Sequence, residues 1–307
     1  MEQASEGDLP RRGVPREVVV VGGTHGNERG GVWTVRNLLA DPDAFAVPGL
    51  KVQALIANPA AVERNLRYLD RDLNRCFGPD LTAAAAQSPQ WETRRALELR
   101  DRIQPGGISP DLVVDLHNTT CSMSITWILT DMDPLLLWLA RNAQRRDHRV
   151  RILHTPESSS SNVFLPSLGD REITLEIGPV PHGTESHWAW EAAQSHVKGL
   201  LQDLSSVSVD FDATKPLRSD RFEFFRTVSV ERYPEGCLIH REAAGRDYQE
   251  FVEGDPLFLE PRTGNVIHHR GEPMHPVFLG EAAYVESGIA YHATRRHLWT
   301  GASGEPC

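Results

Sequence analysis

The chain has 307 residues, of which 40% are hydrophobic and 24% are charged, and its formal net charge is −10. This length is enough for a large core, in one large domain or in a main domain with a smaller partner. The acidic balance argues against nucleic acid or an anionic membrane surface as a partner. The longest apolar run, residues 134–140, is far shorter than the roughly 20 residues that a membrane-spanning helix needs.

The cysteines and the N-terminal segment bear on the compartment. Four cysteines are scattered without C-x-x-C spacing, which predicts a reduced, cytoplasmic chain without a disulfide framework. Residues 1–13 are polar and acidic and lack the apolar segment of a secretory signal. We therefore expect a flexible N-terminal tail.

The first predicted strand, residues 18–21, consists of four valines, which is typical of a strand buried on both faces. It ends at Gly22 and Gly23, where the backbone can turn sharply. His25 and Glu28 follow, and at that spacing both side chains can face one point beyond the end of the strand. We interpret them as zinc ligands. His-x-x-Glu alone also fits a surface pair of side chains. A strand followed by glycines also suggests a nucleotide-binding loop, but neither of the glycine-rich nucleotide-binding patterns is present here.

Helical and strand patterns alternate after this point. A helix over residues 29–39, a strand over residues 50–57 and a helix over residues 88–103 are predicted. Ser88 and Pro89 have the pattern of a helix cap and first helical position. Residues 65–75 are rich in arginine, aspartate and asparagine with little periodicity, and composition alone favours a solvated loop there.

The third predicted strand, residues 112–116, leads directly into His117. A histidine in a core is common, so His117 alone fits a structural role. Together with His25 and Glu28, however, it would complete the three protein ligands of a catalytic zinc site, which keeps its fourth position for water. Asp115 either supports a metal ligand by a hydrogen bond or faces the other side of the strand.

Further strands are predicted over residues 124–129, 150–153 and 172–179, with a helix over residues 134–146 and a polar loop over residues 157–161. The last of these strands carries Glu176 among apolar neighbours. A buried, ionised and unpaired carboxylate is costly. Glu176 therefore either alternates towards solvent together with Thr174, or it is a general base whose pKa is set by partial burial and a nearby metal.

A long helix is predicted over residues 184–204, and the texture of the sequence changes after it. Short strand-like runs such as residues 222–230 alternate with turns rich in proline and glycine. We predict an α/β domain with a mixed sheet flanked by helices over residues 14–205, and a smaller β-rich C-terminal domain over residues 206–307.

Five blocks of this sequence, in order, resemble motifs of the aspartoacylase family, which belongs to a superfamily with succinylglutamate desuccinylases and zinc carboxypeptidases. The blocks are GGTHGNE at residues 22–28, DLNR at 72–75, DLHNTT at 115–120, LEIGP at 175–179 and GEAAY at 280–284. The resemblance covers nearly the whole chain. It implies a zinc-carboxypeptidase-like fold whose C-terminal domain contributes to the substrate pocket.

The resemblance implies a zinc amidohydrolase that removes an acyl group, such as acetyl, from an N-acyl amino acid. His25, Glu28 and His117 would bind one zinc ion (Zn2+) per subunit and activate a water molecule. Glu176 would take the proton of this water and pass it to the leaving amine. Arg67, with zinc, would stabilise the tetrahedral oxyanion.

The same resemblance implies the substrate contacts. Asn74 and Arg75 would bind the α-carboxylate, which a planar guanidinium group matches well. Asn118 and Tyr284 would contact other parts of this small-molecule substrate. The resemblance also implies a homodimer or a higher homo-oligomer.

One position departs from the family pattern. Aspartoacylases carry an arginine about ten residues before the catalytic glutamate, where it holds the side-chain carboxylate of aspartate. Here that position is Pro166, and Arg171 could replace the arginine only after a rearrangement of the loop. We therefore hypothesise a neutral or apolar substrate side chain, as in the aminoacylase branch of the family. The alternatives are a desuccinylase, a small carboxypeptidase, and a non-catalytic zinc-binding module.

Overall fold

The structure is a computed structural model, and it describes residues 13–87, 90–156 and 163–300. The helix cap predicted at Ser88 and Pro89 lies outside the described residues. The polar loop predicted over residues 157–161 and all but the last residue of the predicted N-terminal tail also lie outside them.

The centre of the molecule is a nine-stranded mixed sheet with the strand order β11-β12-β7-β5-β4-β6-β3-β1-β2. A second sheet has three strands in the order β10-β9-β8. The strands are β1 Glu17–Gly22, β2 Lys51–Ile56, β3 Leu112–Asn118, β4 Ser124–Leu129, β5 Val150–His154, β6 Glu172–Gly178, β7 Phe222–Arg232, β8 Leu238–Ile239, β9 Pro256–Glu260, β10 Asn265–His268, β11 His275–Val277 and β12 Ile289–Trp299.

Helices cover both faces of the central sheet. The helices are α1 Arg29–Ala40, α2 Pro59–Arg64, α3 Leu81–Gln87, α4 Trp91–Ile103, α5 Pro134–Arg146, α6 His187–Ser206 and α7 Thr214–Leu217. α1, α5 and α6 enclose the larger core on one face, and α4 packs against a smaller core on the other. This arrangement, with the β-rich C-terminal region, confirms the predicted fold class. Among the described residues, no helix is long and apolar enough to cross a membrane.

The four valines of β1 are fully buried, as predicted, because the strand lies between both cores. Val18 and Val20 belong to the larger core, whereas Val19 and Val21 belong to the smaller one. Gly22 ends the strand where α1 approaches so closely that a Cβ atom would lie 2.3 Å from the carbonyl oxygen of Gly31. A larger residue at this position would therefore push α1 away from the strand that precedes the site.

The ends of two elements differ from the prediction. β3 continues to Asn118, so His117 lies inside the strand instead of after it. α6 begins at His187 instead of residue 184, because the Ser186 side chain accepts a hydrogen bond from the backbone N–H of Ala189 and caps the helix there. β4 and α5 have the predicted bounds.

Strands from the C-terminal region extend the central sheet. β7 pairs in parallel with β5, with Leu153 opposite Phe225, and β12 pairs antiparallel with β7 along most of its length. The four-residue helix α7, which the sequence did not predict, precedes β7. The C-terminal region is therefore joined to the catalytic region through backbone hydrogen bonds. The division into domains at residue 206 stays a prediction.

Candidate metal centre and substrate pocket

Three neighbouring strands bring the predicted site residues to one edge of the sheet. β1 pairs in parallel with β3, and β3 pairs in parallel with β6. Loops that follow parallel strands meet at the same edge, and His117 lies directly beside Glu176 in the strand register. The turn after β1 then places His25 and Glu28 next to His117.

The side chains of His25, Glu28 and His117 converge on one point. Their ligand atoms all lie within 4.8 Å of one another, and all three residues are buried. Glu28 Oε1 lies 2.7 Å from His25 Nδ1, and Glu28 Oε2 lies 2.8 Å from His117 Nδ1. The two Nδ1 atoms are 3.2 Å apart. Two imidazoles and one carboxylate are a donor set that suits zinc.

Carboxylates hold both histidine rings from behind. Asp72 Oδ1 lies 2.9 Å from His25 Nε2, and Asp115 Oδ2 lies 2.8 Å from His117 Nε2. The Thr24 hydroxyl donates to Asp115 Oδ1 at 2.7 Å. A carboxylate at Nε2 favours the tautomer with its proton on that atom, which leaves the Nδ1 lone pair for a metal. The two lone pairs that face each other therefore fit a shared cation.

The electrostatics of this cluster also fit a cation. Burial raises the pKa of Glu28, but His25 and His117 outweigh it and bring that pKa well below its ordinary value. Burial lowers the pKa of His117, whereas Asp115 and Glu28 raise it, and the net shift is well above the ordinary value. The protein thus surrounds the convergence point with groups that favour positive charge there.

Arg67 connects two of the carboxylates of the cluster, those of Glu28 and Asp72. Its Nη1 donates to Glu28 Oε1 at 3.0 Å and its Nη2 donates to Asp72 Oδ2 at 2.9 Å. Burial lowers the pKa of Arg67, but Glu28 and Asp72 outweigh this and raise it.

Arg67 belongs to the segment 65–75, where the only helical turn is the 3-10 turn Leu73–Arg75. The segment is a loop, as its composition predicts, but it forms a wall of the site.

Glu176 points towards the same cavity. It alternates with Thr174 along β6, as one interpretation of the sequence expects, but the face that they share lines the cavity instead of open solvent. Within the described part of the chain, Glu176 Oε2 is buried and has no hydrogen-bond partner. Burial raises the pKa of Glu176 well above its ordinary value, and Glu28 adds to this. A buried carboxylate oxygen without a partner is rare and is typical of a reactive group.

All the residues predicted for the site line one cavity of about 360 Å³. They are His25, Glu28, Arg67, Asn74, Arg75, His117, Asn118, Glu176 and Tyr284. The structure therefore brings together residues from five separate strand ends and loops. Their individual roles in binding and catalysis stay predictions.

Three of the predicted substrate-binding side chains are fixed by their neighbours. The guanidinium of Arg75 lies over the ring of Phe164, 4.6 Å from its centre. Asn74 Oδ1 accepts a hydrogen bond from the backbone N–H of Leu165 at 2.8 Å. Asn118 Oδ1 accepts one from the backbone N–H of Gly30 at 2.9 Å, so part of the Asn118 amide supports the start of α1.

Tyr284 reaches the cavity from the C-terminal region, and the buried carboxylate of Glu281 holds its loop in place. Glu281 accepts hydrogen bonds from the Thr119 hydroxyl, from the Thr120 N–H at 2.9 Å and from the Ala283 N–H at 3.0 Å. One carboxylate thereby connects the end of β3 to the turn that carries Tyr284.

Three supporting residues have no role in the sequence-based prediction: Thr24, Asp72 and Glu281. Each lies inside one of the five sequence blocks, within three residues of a residue with a predicted role. Their position in those blocks is the only sequence signal that marks them. Their partners are distant in the chain, and no local spacing reveals these contacts.

The structure separates Pro166 from Arg171. Pro166 lines the cavity. Arg171 does not line it, and its Nε donates to Asp133 Oδ2 at 2.8 Å while its Nη1 donates to the carbonyl oxygen of Gly13 at 3.1 Å. A buried arginine in an ion pair is held strongly. Arg171 therefore does not take the place of the arginine that aspartoacylases use.

Two family models match the chain. The succinylglutamate desuccinylase/aspartoacylase catalytic domain matches residues 15–202. The AstE/AspA barrel-sandwich hybrid domain matches residues 218–296.

Individual relatives match along most of their length. The chain is 33% identical over 301 residues to an N-acyl-aromatic-L-amino acid amidohydrolase (carboxylate-forming) of Xenopus tropicalis, covering 92% of this chain and 94% of the relative. It is 33% identical over 285 residues to a probable aspartoacylase of Acaryochloris marina, covering 92% and 96%. The crystal structure of murine aminoacylase 3 superposes with a TM-score of 0.85 at 27% identity, covering 92% of this chain and 96% of that one.

Proposed function

Because the chain belongs to the succinylglutamate desuccinylase/aspartoacylase family, we propose that it is a zinc-dependent deacylase of N-acyl amino acids. The observation that carries this proposal is the convergence of His25, Glu28 and His117 beside a buried, unpartnered Glu176 oxygen. Burying a carboxylate oxygen without a hydrogen-bond partner costs free energy, and a non-catalytic binding module would gain nothing in return. The predictions of a cytoplasmic location and of a homodimer rest on sequence alone.

The three converging side chains would hold the zinc ion, with Asp72 and Asp115 fixing the histidine rings. A zinc ion lowers the pKa of a coordinated water towards about 7 and polarises a carbonyl group. The chain itself supplies the remaining parts of the reaction.

Glu176 would accept a proton from the attacking water and return it to the nitrogen of the leaving amine. Its raised pKa suits a carboxyl group that has to hold a proton between these two transfers. The nitrogen has to be protonated before the amide bond breaks, because an amine leaves far more easily than an amide anion. The products are a carboxylate and a free amino acid.

Arg67 would stabilise the negative charge that develops on the carbonyl oxygen, because it lines the cavity and stays charged throughout. Asn74 and Arg75 would bind the α-carboxylate and so orient the amide for attack. The stacking of Arg75 on Phe164 limits the freedom of the guanidinium. A fixed guanidinium loses less entropy when the substrate binds.

We further propose a neutral or apolar substrate side chain. Pro166 lines the cavity where aspartoacylases have arginine, and Arg171 is occupied elsewhere. Further along, the cavity wall includes Ile128, Phe164 and Phe278. Strict specificity for N-acetylaspartate would need a second cation in this part of the cavity.

Hydrolysis of a substrate panel by the zinc-loaded protein tests the proposal. The panel contains N-acetylaspartate, N-acetylglutamate, neutral aliphatic and aromatic N-acetyl amino acids, and N-succinyl and N-formyl analogues, with Glu176→Ala as the control. We expect turnover of neutral substrates that is lost in the variant. Zinc bound without turnover of any member would favour a binding module. N-acetylaspartate far ahead of every neutral substrate would refute the proposed side-chain preference.

A further inference from the structure

His292 lines the cavity, yet it lies outside the five sequence blocks and the proposed reaction gives it no role. It is a residue of β12 that pairs with Val230 of β7 in the strand register. Cross-strand partners project from the same face of a sheet, and Val230 lines the cavity as well. His292 therefore belongs to the part of the wall that the C-terminal region contributes.

Two aromatic rings hold the imidazole of His292 in place. The Tyr284 ring lies parallel to it, with 6° between the planes and 5.5 Å between the centres. The Phe278 ring meets it edge to face at 5.5 Å, and the Phe278 and Tyr284 rings are themselves 5.5 Å apart. Because each ring packs against the other two, the imidazole has little freedom to rotate, and it loses little entropy when a ligand binds to it.

The nitrogen atoms of this imidazole are without a hydrogen-bond partner in the described part of the chain, and Nδ1 is completely buried. Burial lowers the pKa of His292 to about 4, with a further contribution from Arg75, so the ring is neutral at physiological pH. A neutral imidazole has one N–H donor and one lone pair. Since Nδ1 is shielded, a bound molecule would meet Nε2, and the tautomer with its proton there makes Nε2 an uncharged donor.

The charges that act on the two stacked rings indicate where His292 lies along the cavity. Burial raises the pKa of Tyr284, and the charges of Arg75 and Glu176 both act on this phenol. For His292, Arg75 is the one charged group in the described chain that acts on the ring. Tyr284 is thus within reach of both groups, whereas His292 lies towards Arg75 and away from the proposed general base.

The proposed α-carboxylate site beside Arg75 has room for a further donor. Arg75 Nη1 donates to the carbonyl oxygen of Asn74 at 2.9 Å, which leaves Nε and Nη2 for a ligand. Asn74 Oδ1 accepts from the backbone N–H of Leu165, which leaves the amide NH2 group. A carboxylate accepts up to about four hydrogen bonds, and these two side chains supply three. A second cation would be repelled by Arg75, whereas a neutral imidazole is not.

We propose that His292 Nε2 donates a hydrogen bond to the α-carboxylate of the N-acyl amino acid and is the third residue of this carboxylate site, with Asn74 and Arg75. The inference rests on the proposed deacylase function and adds a substrate-binding residue to it. Every N-acyl amino acid carries an α-carboxylate, so His292 contributes equally whatever the substrate side chain is. A hydrogen bond to a charged acceptor is worth about a factor of ten or more in affinity.

The test compares His292→Phe with His292→Gln. Phenylalanine keeps a flat ring against Tyr284 but has no donor, whereas glutamine loses the ring but carries an amide N–H in the region of Nε2. We expect His292→Phe to raise KM at least tenfold with kcat within about threefold, because the carboxylate is bound alike in the ground state and the transition state. His292→Gln should keep KM within about threefold of the unmodified enzyme. A normal KM in His292→Phe, or a KM in His292→Gln raised as much as in His292→Phe, would overturn the inference.

The same measurements on N-acetyl-alanine, N-acetyl-leucine and N-acetyl-phenylalanine separate the carboxylate from the side chain. These substrates share the α-carboxylate, so His292→Phe should raise KM by the same factor, within about threefold, for all three. A loss confined to one of them would assign His292 to the side-chain pocket and overturn the inference.

His297→Phe is the matched control. His297 lies on the same strand, its ring stacks on Phe224 with 5.2 Å between the centres, and its Nδ1 is also buried without a partner in the described chain. It does not line the cavity, so this variant should leave KM unchanged. Contrary results for His292 in an active enzyme leave the deacylase function standing, whereas no turnover of any N-acyl amino acid by the unmodified, zinc-loaded enzyme refutes that function itself.

Discussion

The loop that carries Tyr284 is held by one buried carboxylate, that of Glu281. The hydrogen bonds of Glu281 indicate how much unfolding free energy its removal would cost. In Glu281→Ala, the backbone N–H groups of Thr120 and Ala283 lose their acceptor. A buried donor left without a partner costs about 1–3 kcal/mol. Both of these hydrogen bonds are only part-buried, so we expect about 1–3 kcal/mol of lost unfolding free energy for the two together. The Thr119 hydroxyl also loses its partner, although it can rotate towards another acceptor.

The effect should extend to activity, because the same carboxylate connects the end of β3 to the turn of Tyr284. We expect kcat/KM of Glu281→Ala to fall at least tenfold, and urea unfolding to show the loss of stability. Glu286→Ala is the matched control, since this residue is exposed on the same loop and accepts a hydrogen bond from Tyr68. It should cost less than about 1 kcal/mol. A Glu281→Ala protein within 1 kcal/mol of the unmodified one and equally active would refute the reasoning.

Three other predictions concern the metal, pH and packing. Asp115→Asn should weaken zinc binding about 10- to 100-fold, measured by competition with a chelator, because it loosens the ring of His117. Burial lowers the pKa of His196 to about 4, so the folded state binds fewer protons than the unfolded state between about pH 4 and 6.5 and loses stability as the pH falls. Between pH 7 and pH 5, the free energy of unfolding of His196→Gln should therefore fall by about 2 kcal/mol less than that of the unmodified protein, as measured by urea unfolding. An equal fall in both proteins would contradict this. Gly26→Ala would place its Cβ 2.1 Å from the backbone of Ala61, so it should destabilise the protein by more than 2 kcal/mol in the same assay and reduce zinc binding; a variant of normal stability would contradict that close approach.

The convergence of His25, Glu28 and His117 could be predicted because their positions follow from strong local patterns. An uninterrupted apolar run predicts a buried strand, and polar side chains directly after it meet at the sheet edge. His25 and Glu28 follow this rule, and His117, the penultimate residue of β3, lies close to the same edge. Asp72 does not, because its contact with His25 joins residues 47 positions apart through a loop without periodicity.

For the C-terminal region, the sequence likewise predicts the local structure but not the contacts between distant residues. Alternation and turn residues predict that it is rich in strands, but they do not specify which strand each one pairs with. The pairing of Leu153 with Phe225 depends on the whole sheet being assembled. Tyr284 enters the site only through that assembly, so the resemblance to a family was the only sequence evidence for its place in the pocket.

The pairing of β7 with β5 also limits how a substrate can enter and leave. The floor of the cavity lies on β4 and β6, and part of its wall, including Val230 and His292, lies on β7 and β12 of the same hydrogen-bonded sheet. A hinge motion that lifted this wall would break the hydrogen bonds between β5 and β7, so we expect substrate exchange to use loops and side chains instead. A chain shortened after α6 would likewise expose the edge of β5, and an unpaired buried strand of this kind promotes aggregation.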